Sequence, residues 1–408
     1  MTNVAASRRS PIWREPGMPG LLLTTGLAFA GFAVLMPVAP MHVVALGGDT
    51  FLAGLANAVL MAATILTQLV VERVRSRIGW SAILALGCLL LGLPALVEIL
   101  ATQPWHVIAL AAVRGIGFGI LTVSGASAVA VLFAPERRGR AVGAYGLSVA
   151  ASQLLLTPVA PWIAETAGFT TALVLAAIPV VGVPVAVSAA GVIERHARNT
   201  APATASASSV TETRRTLVRL VPPIVALTAV TCSGGAIATF APQFTADALL
   251  TLVVLFVFSA AAAISRWVAG GLADRFGAQT FIGPALGIAV LGLAGMAASI
   301  AGIAGAGGTT LLVAGAFLTG TSFGVMQNVT LVRAFELAGE ESKGTASTAW
   351  NVAFDAGTGI GAVAIGAIAT GTSFAFSFAL LAALCLVVGI GLVLRSRQAP
   401  GTGPRSVV

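Results

Sequence analysis

Charged residues are scarce in this chain. Only 9% of its 408 residues are charged, whereas a soluble domain carries roughly a quarter. Hydrophobic residues make up 57% of the sequence, which is more than a soluble core absorbs. A lipid bilayer does absorb such a sequence, because the helices that span it are predominantly apolar. The shortage of charge therefore argues against an ordinary soluble domain and indicates a membrane protein.

Residues that bind metals or carry out covalent catalysis are also rare. The three cysteines, Cys88, Cys232 and Cys385, lie far apart inside apolar runs and have no metal-ligand spacing. His42 and His106 fall at the borders of such runs, where we expect them to be solvated. The sequence contains no HExxH motif, no Walker A motif and no recognisable nucleophile–base pair. We therefore expect no metal site, no cofactor, no ATP-driven pump and no enzyme.

Twelve apolar segments are long enough to cross a bilayer, which requires about 20 residues per helix. They predict an all-α membrane protein with twelve transmembrane helices. The predicted spans are residues 20–41, 51–71, 80–101, 105–133, 141–165, 169–193, 217–240, 247–268, 280–301, 309–335, 345–370 and 373–394.

Basic residues mark one side of this predicted bundle. The net charge is +8, but Lys and Arg are scattered among short segments and not clustered as in a nucleic-acid interface. They occupy every second connection, while the alternate connections contain Asp49, Glu165 and Asp247 but no Lys or Arg. Because basic residues are enriched in cytoplasmic loops, we expect a multi-pass protein of the cytoplasmic membrane with both termini in the cytoplasm.

A polar stretch divides the chain into two six-helix halves. Residues 194–216 are rich in Ala, Ser and Thr and carry no apolar stripe, which predicts a cytoplasmic linker. The N-terminal half then covers residues 20–193 and the C-terminal half residues 217–394. Cytoplasmic tails are predicted at residues 1–19 and 395–408.

The two halves repeat each other in sequence. The segment that begins at Gly115 and ends at Gly119 matches the segment from Gly320 to Gly324 at an offset of 205 residues, and the same offset pairs Tyr145 with Trp350. The first glycine run lies inside a predicted span, which indicates helix packing and not a nucleotide-binding loop. The repeat predicts a pseudo-symmetric bundle.

A charged, glycine-rich stretch connects the eighth and ninth predicted spans. Its sequence is Gly270-Gly271-Leu272-Ala273-Asp274-Arg275-Phe276-Gly277. It predicts a tight hairpin in which the glycines allow positive φ and Asp274 accepts backbone hydrogen bonds at a helix start.

The string G-x-L-A-D-R-x-G resembles the loop signature of the major facilitator superfamily of transporters. The corresponding stretch of the first half is degenerate, with Glu72 in the place of Gly270 and Ser76 in the place of Asp274. The resemblance implies two six-helix halves, a substrate site near the bilayer midplane, and rocking that exposes this site alternately to the two sides.

Two ionisable residues lie deep within predicted spans, where charge is costly. Asp355 is about 15 Å from the cytoplasmic end of the eleventh span, and Arg114 is about 13 Å from the outer end of the fourth, at 1.5 Å per residue. Glu98, by contrast, falls near the end of the third span and is expected at the interface.

Each of these two residues has two interpretations. Asp355 either couples proton movement to transport or forms a structural pair. Its surroundings, Asn351 to Gly359, resemble the eleventh helix of some sugar-efflux and drug-efflux members. Arg114 either binds an anionic group in the cavity or modulates a nearby acid. Many proton-linked exporters carry an arginine in the pattern R-x-x-x-G-x-G, but that slot is Ala111 here.

Neutral polar residues on the spans are further candidates for the substrate cavity, although each can equally hold two helices together. These candidates are Asn57, Tyr145, Gln153, Thr231, Gln327, Asn328 and Asn351.

The sequence as a whole predicts a secondary transporter. A cavity with few aromatic or acidic residues favours an amphipathic or anionic organic substrate, and proton antiport for export is the simplest mechanism. An uptake permease or symporter of the same fold is the first alternative, and a membrane receptor or scaffold that does not transport is the second. We expect a monomer whose partners are the substrate, protons and the lipid bilayer, with no nucleic acid.

Overall fold

The computed structural model describes residues 11–199, 210–245, 247–339 and 342–398. Within these residues the chain is almost entirely α-helical, and twelve helices are long and apolar enough to cross a membrane. This confirms the predicted fold class. The bounds are α1 Met18–Ala45, α2 and α3 within Thr50–Glu98, α4 Pro104–Leu132, α5 Pro135–Ala167, α6 in three segments (Phe169–Ala176, Ile178–Val181 and Val183–Asn199), α7 Val210–Phe244, α8 Ala248–Phe276, α9 Gln279–Ile300, α10 Gly308–Ala338, α11 Lys343–Gly371 and α12 Phe374–Gln398.

Helices α2 and α3 are the two limbs of one helical stretch. The backbone breaks at Gly79, where φ is 81° and ψ is 173°. A residue with a side chain rarely adopts this conformation, whereas glycine does so readily. The limbs before and after this residue, 50–78 and 80–98, are therefore separate helices joined by a single-residue turn.

Several helices continue past the apolar runs that predicted them. Helix α7 already begins at Val210, and α8 ends only at Phe276. Hydropathy detects the part of a helix that suits lipid, whereas the polar turns beyond it remain helical in water or headgroups.

Helices also extend into the predicted linker. Helix α6 reaches Asn199, so helical turns occupy both ends of the predicted linker, and its residues 200–209 lie outside the described residues. Residues 1–10 and 399–408 of the predicted tails also lie outside them. A short 3₁₀ turn, Ile12–Arg14, precedes α1.

The described residues form two compact units that do not coincide with the two halves of the sequence. One falls within Met1–Ser206, Gly235–Ala260 and Thr358–Phe374, and the other within Ala207–Gly234, Ala261–Gly357 and Ala375–Val408. The first unit therefore includes one end of each of the helices α7, α8 and α11. Glycines explain part of this grouping, because Gly54 on α2 lies against the backbone carbonyl of Ala362, and Gly366 lies against that of Thr50.

Aromatic side chains pack against one another in each unit. In the first unit, Phe32 stacks on Phe118 with ring centroids 4.1 Å apart, which joins α1 to α4. In the second unit, Trp350 stacks on Phe354 at 5.5 Å, and its indole N–H donates to the Thr330 hydroxyl at 2.9 Å.

The sequence repeat is also a repeat of contacts within each unit. Tyr145 packs against Gly125, and residues 205 positions later, Trp350 and Thr330, form the hydrogen bond just described. Likewise, Thr67 packs against Gly119 in the first unit as Ser265 does against Gly324 in the second. Matching contacts of this kind require matching helix rotations, so the repeat extends from sequence to packing.

Candidate functional site

Three ionisable side chains meet in the interior of the first unit. Glu98 ends α3, His42 lies one turn before the end of α1, and Arg114 lies in α4. One carboxylate oxygen of Glu98 is 3.3 Å from His42 Nδ1, and the other is 3.1 Å from Arg114 Nη1. Glu98 and Arg114 are both 0% exposed, and His42 is 8% exposed. The cluster is therefore sealed within protein.

The surroundings of the cluster leave its hydrogen-bonding capacity incomplete. Arg114 Nε, Nη1 and Nη2 and Glu98 Oε2 have no hydrogen-bond partner of adequate geometry. The Phe169 ring stacks on the His42 imidazole at 4.9 Å and covers it. The charges are thus balanced by proximity, while several polar atoms lack the directed bonds that buried polar groups normally make.

This cluster corrects two predictions. Glu98 is not exposed at the end of its span, because it is buried and paired with Arg114. His42 is not solvated, because the protein buries it. Both predictions were based on the distance along the chain from the residue to the end of an apolar run. That distance does not show which way a side chain points.

A second polar contact ties three helices together in the same unit. The Asn57 amide on α2 donates to the Met36 carbonyl at 2.8 Å and to the Thr239 hydroxyl at 2.9 Å. Nearby along α2, the Thr50 and Thr370 hydroxyls lie 2.6 Å apart. Asn57 therefore makes interhelical hydrogen bonds, and its role as a cavity residue stays a prediction.

An open cavity of about 700 Å³ lies between α7 and α11 in the second unit. Its lining contains three threonines and six aliphatic residues and no charged side chain. These residues are Leu217, Ile224, Thr228, Thr345, Thr348, Ala349, Val352, Ala353 and Ala356. Such a surface suits an apolar or weakly polar molecule.

Asp355 lies beside this cavity along the sequence but is not one of its lining residues. This acidic residue is 7% exposed and sits between two lining residues, Ala353 and Ala356, on α11. Burial of an acid in a spanning helix is compatible with both predicted roles, coupling and structural pairing.

The remaining predicted cavity residues are dispersed and do not line the cavity between α7 and α11. Thr231 donates to the Thr228 carbonyl at 3.2 Å, and the exposed Asn351 donates to the Ser347 carbonyl at 2.8 Å. Gln327 accepts from Arg266 Nη1 at 2.8 Å.

Three further candidates are partly buried. Asn328 has a buried oxygen without a hydrogen-bond partner and lies near Gly270. Tyr145 packs on α4, and Gln153 lies on α5. The roles of these residues in substrate binding stay predictions.

The signature stretch is mostly helical. Gly270, Gly271, Asp274 and Arg275 belong to the last turns of α8, and only Gly277 has positive φ, at 82°. The positive φ that a glycine allows is therefore used at Gly277, where α8 ends, and not at Gly270 or Gly271. Asp274 and Arg275 are exposed, and the Arg275 guanidinium lies 5.1 Å from the Phe276 ring.

The threonines of the cavity, Thr228, Thr345 and Thr348, are not among the residues predicted from sequence to line a cavity. A usable signal was present, because positions 345, 348, 349, 352, 353 and 356 follow helical spacing and are all small or β-branched. No group of three or more His, Cys, Asp or Glu residues that could hold a metal occurs within the described residues.

Comparison with known proteins agrees with the helical architecture. A family model described as Major Facilitator Superfamily matches residues 21–354 and, in a second match, residues 257–407. No curated protein matches the chain in sequence.

Several solved structures share the fold. A bacterial homologue of the human lysosomal transporter Spinster, inward-facing and unoccupied, has a TM-score of 0.73 and 14% identity, covering 95% of this chain and 98% of that one. The peptide transporter POT in complex with sulfate has a TM-score of 0.75 and 17% identity, with 97% of each chain covered. A point mutant of the nucleoside transporter NupG has a TM-score of 0.68 and 13% identity, covering 93% of this chain and 99% of that one.

Proposed function

Because the chain belongs to the Major Facilitator Superfamily of secondary transporters, we propose that it exports a small amphipathic organic molecule across the cytoplasmic membrane in exchange for protons. The cavity between α7 and α11 is the observation that carries this proposal.

The cavity supports the substrate class by its size and chemistry. Ligand pockets measure about 300–1,000 Å³ and are mostly apolar with a few polar groups, and the volume of about 700 Å³ falls in this range. Thr228, Thr345 and Thr348 supply hydroxyls, while the rest of the lining is aliphatic. The solved neighbours include a peptide transporter and a nucleoside transporter, so the fold leaves the substrate open and the lining is the better guide.

The same chemistry supports export. An amphipathic molecule can enter a cell by partitioning through the bilayer, and keeping its internal concentration low then requires a driven carrier that removes it. The basic connections support an orientation in which both termini are cytoplasmic, and we propose that a single chain performs the cycle.

Asp355 is the proposed coupling residue for protons. It is buried in α11, and it lies between residues that line the cavity. An acid at this position can bind a proton in one state and release it in another, and its charge then alters the environment of the neighbouring substrate.

The test uses purified protein in liposomes with a pH-sensitive dye trapped inside. A proton gradient of either sign is imposed, and amphipathic cations, organic anions and sugars are added in turn. We expect an amphipathic compound to trigger proton flux in the wild type and Asp355→Asn to abolish this flux.

Asp247→Asn is the matched control. Asp247 accepts the Leu250 N–H at the start of α8, and asparagine caps helices about as well as aspartate. This variant should therefore keep wild-type flux. Proton flux that persists in Asp355→Asn contradicts the coupling role, and a response to sugars alone contradicts the substrate class.

A further inference from the structure

The proposed substrate cavity between α7 and α11 gives no role to the cluster of His42, Glu98 and Arg114. It joins three helices of the first unit, and all three residues are buried. A buried salt bridge is weak support for stability, because desolvation offsets its attraction. A cluster of this kind in a spanning bundle therefore calls for a functional explanation.

The charge balance of the cluster depends on a single proton. Glu98 contacts two basic groups at once, His42 at 3.3 Å and Arg114 at 3.1 Å. With a neutral imidazole, the carboxylate and the guanidinium cancel. With a protonated imidazole, the cluster carries one net positive charge in a sealed interior. Histidine changes charge between about pH 5 and pH 8 more readily than other side chains.

The polar atoms that lack hydrogen bonds indicate how the cluster could stabilise a net positive charge. Arg114 has three nitrogens without a hydrogen-bond partner, and Glu98 Oε2 also has none. Water would supply these bonds if it reached the cluster. Glu98 is the last residue of α3, and His42 lies within one turn of the end of α1, so the path from this end of the bundle is short.

We propose that His42 is a proton-binding site, with Glu98 as its carboxylate partner and Arg114 as the fixed countercharge. Protonation stabilises the conformation in which water enters at this end, because the sealed conformation would bury a net charge. Loss of the proton restores neutrality and favours the sealed conformation. The inference rests on the proposed function, since the proton gradient supplies the driving force.

Other ionisable groups at this end have different surroundings. Asp49 accepts the Leu52 N–H at the start of α2, and His106 Nδ1 accepts the Thr102 N–H. Glu165 is exposed at the end of α5. From α6 the cluster meets the ring of Phe169, which carries no charge. Within the part of the chain that the structure describes, the charged groups that face His42 are thus Glu98 directly and Arg114 through it.

The experiment needs no substrate. The chain has three histidines, His42, His106 and His196, so ¹⁵N-histidine labelling gives three pairs of imidazole nitrogen signals in solid-state NMR of the protein in lipid bilayers. His42→Gln identifies the His42 signal by its loss. In a series of spectra recorded from about pH 5 to pH 8, we expect this signal to change with pH and the change to be displaced in Glu98→Gln. The pH dependence of the His106 signals, and that of the His196 signals, should be the same in the wild type and in Glu98→Gln.

The outcomes separate this inference from the proposed function. A His42 signal that stays constant over this pH range, or that titrates identically in Glu98→Gln, overturns the proton site. In the liposome assay, His42→Gln should lose substrate-triggered proton flux, and retention of that flux overturns the coupling role. If no compound triggers flux in the wild type, the proposed function fails, while the NMR titration still decides the proton site.

Discussion

At the scale of the residue, the ion pair of Glu98 and Arg114 is the most costly feature of the first unit. Each charge alone would be unfavourable in this interior, and each is tolerated because the other lies 3.1 Å away. Removing one partner of a buried pair costs about 3–5 kcal/mol, whereas replacing both by apolar groups is often neutral.

This asymmetry gives a stability prediction. Arg114→Met should destabilise the protein by about 3 kcal/mol or more, because Glu98 is left buried without its guanidinium partner. The double variant Glu98→Gln, Arg114→Met should recover most of that loss. Thermal unfolding in detergent micelles measures both variants. Equal melting temperatures of the single and double variants would show that the pair is not coupled energetically.

At the scale of the element, glycines determine how closely helices approach. Gly119 lies against the Thr64 carbonyl between α2 and α4, and Gly324 lies against the Ala262 carbonyl between α8 and α10. Neither position has space for a Cβ atom. The same small-residue contact thus builds the corresponding helix pair of each unit, as expected where helices pack in lipid.

A matched pair of substitutions tests this packing. Gly324→Ala should destabilise the protein by about 1–3 kcal/mol, because the new methyl group forces α10 away from α8. Gly287→Ala on α9 is the control, since a Cβ there meets no atom within 4 Å, and alanine favours a helix by roughly 0.5–1 kcal/mol. Thermal unfolding should show opposite signs for the two variants. A neutral Gly324→Ala would mean that the interface relaxes freely.

At the scale of the whole molecule, the distribution of basic residues predicts which side each connection faces. Connections that carry arginine alternate with connections that carry none, and the twelve helices of the described residues preserve this alternation along the chain. Orientation is therefore testable without knowledge of the substrate.

Two glutamines at helix starts provide the test. Gln103 precedes α4 and Gln279 begins α9, and both are exposed. A membrane-impermeant maleimide should label Gln103→Cys in intact cells and Gln279→Cys only after permeabilisation. Cys88, Cys232 and Cys385 are buried and should give little background. The reverse labelling pattern would place the termini outside.

Particular residues show why the candidate site was harder to predict than the fold. Hydropathy identifies a helix from its own residues, so α1 and α4 were found from sequence. The contact between Glu98 and Arg114 depends on the rotation of α3 and α4 about their axes, which no local pattern reports. Asp355 was singled out by its depth in the bilayer, whereas Thr228 and Thr345 line a cavity only because α7 and α11 pack as they do.

Local features of the chain were enough to establish a bundle of twelve spanning helices with an internal repeat, because apolar runs of bilayer length and glycines at a fixed offset can be read without any long-range contact. Helix packing, by contrast, decided which polar side chains contact one another. Packing joined His42, Glu98 and Arg114 across three helices, and it placed the threonines of α7 and α11 around one cavity. Such contacts form only when residues far apart in the chain become neighbours.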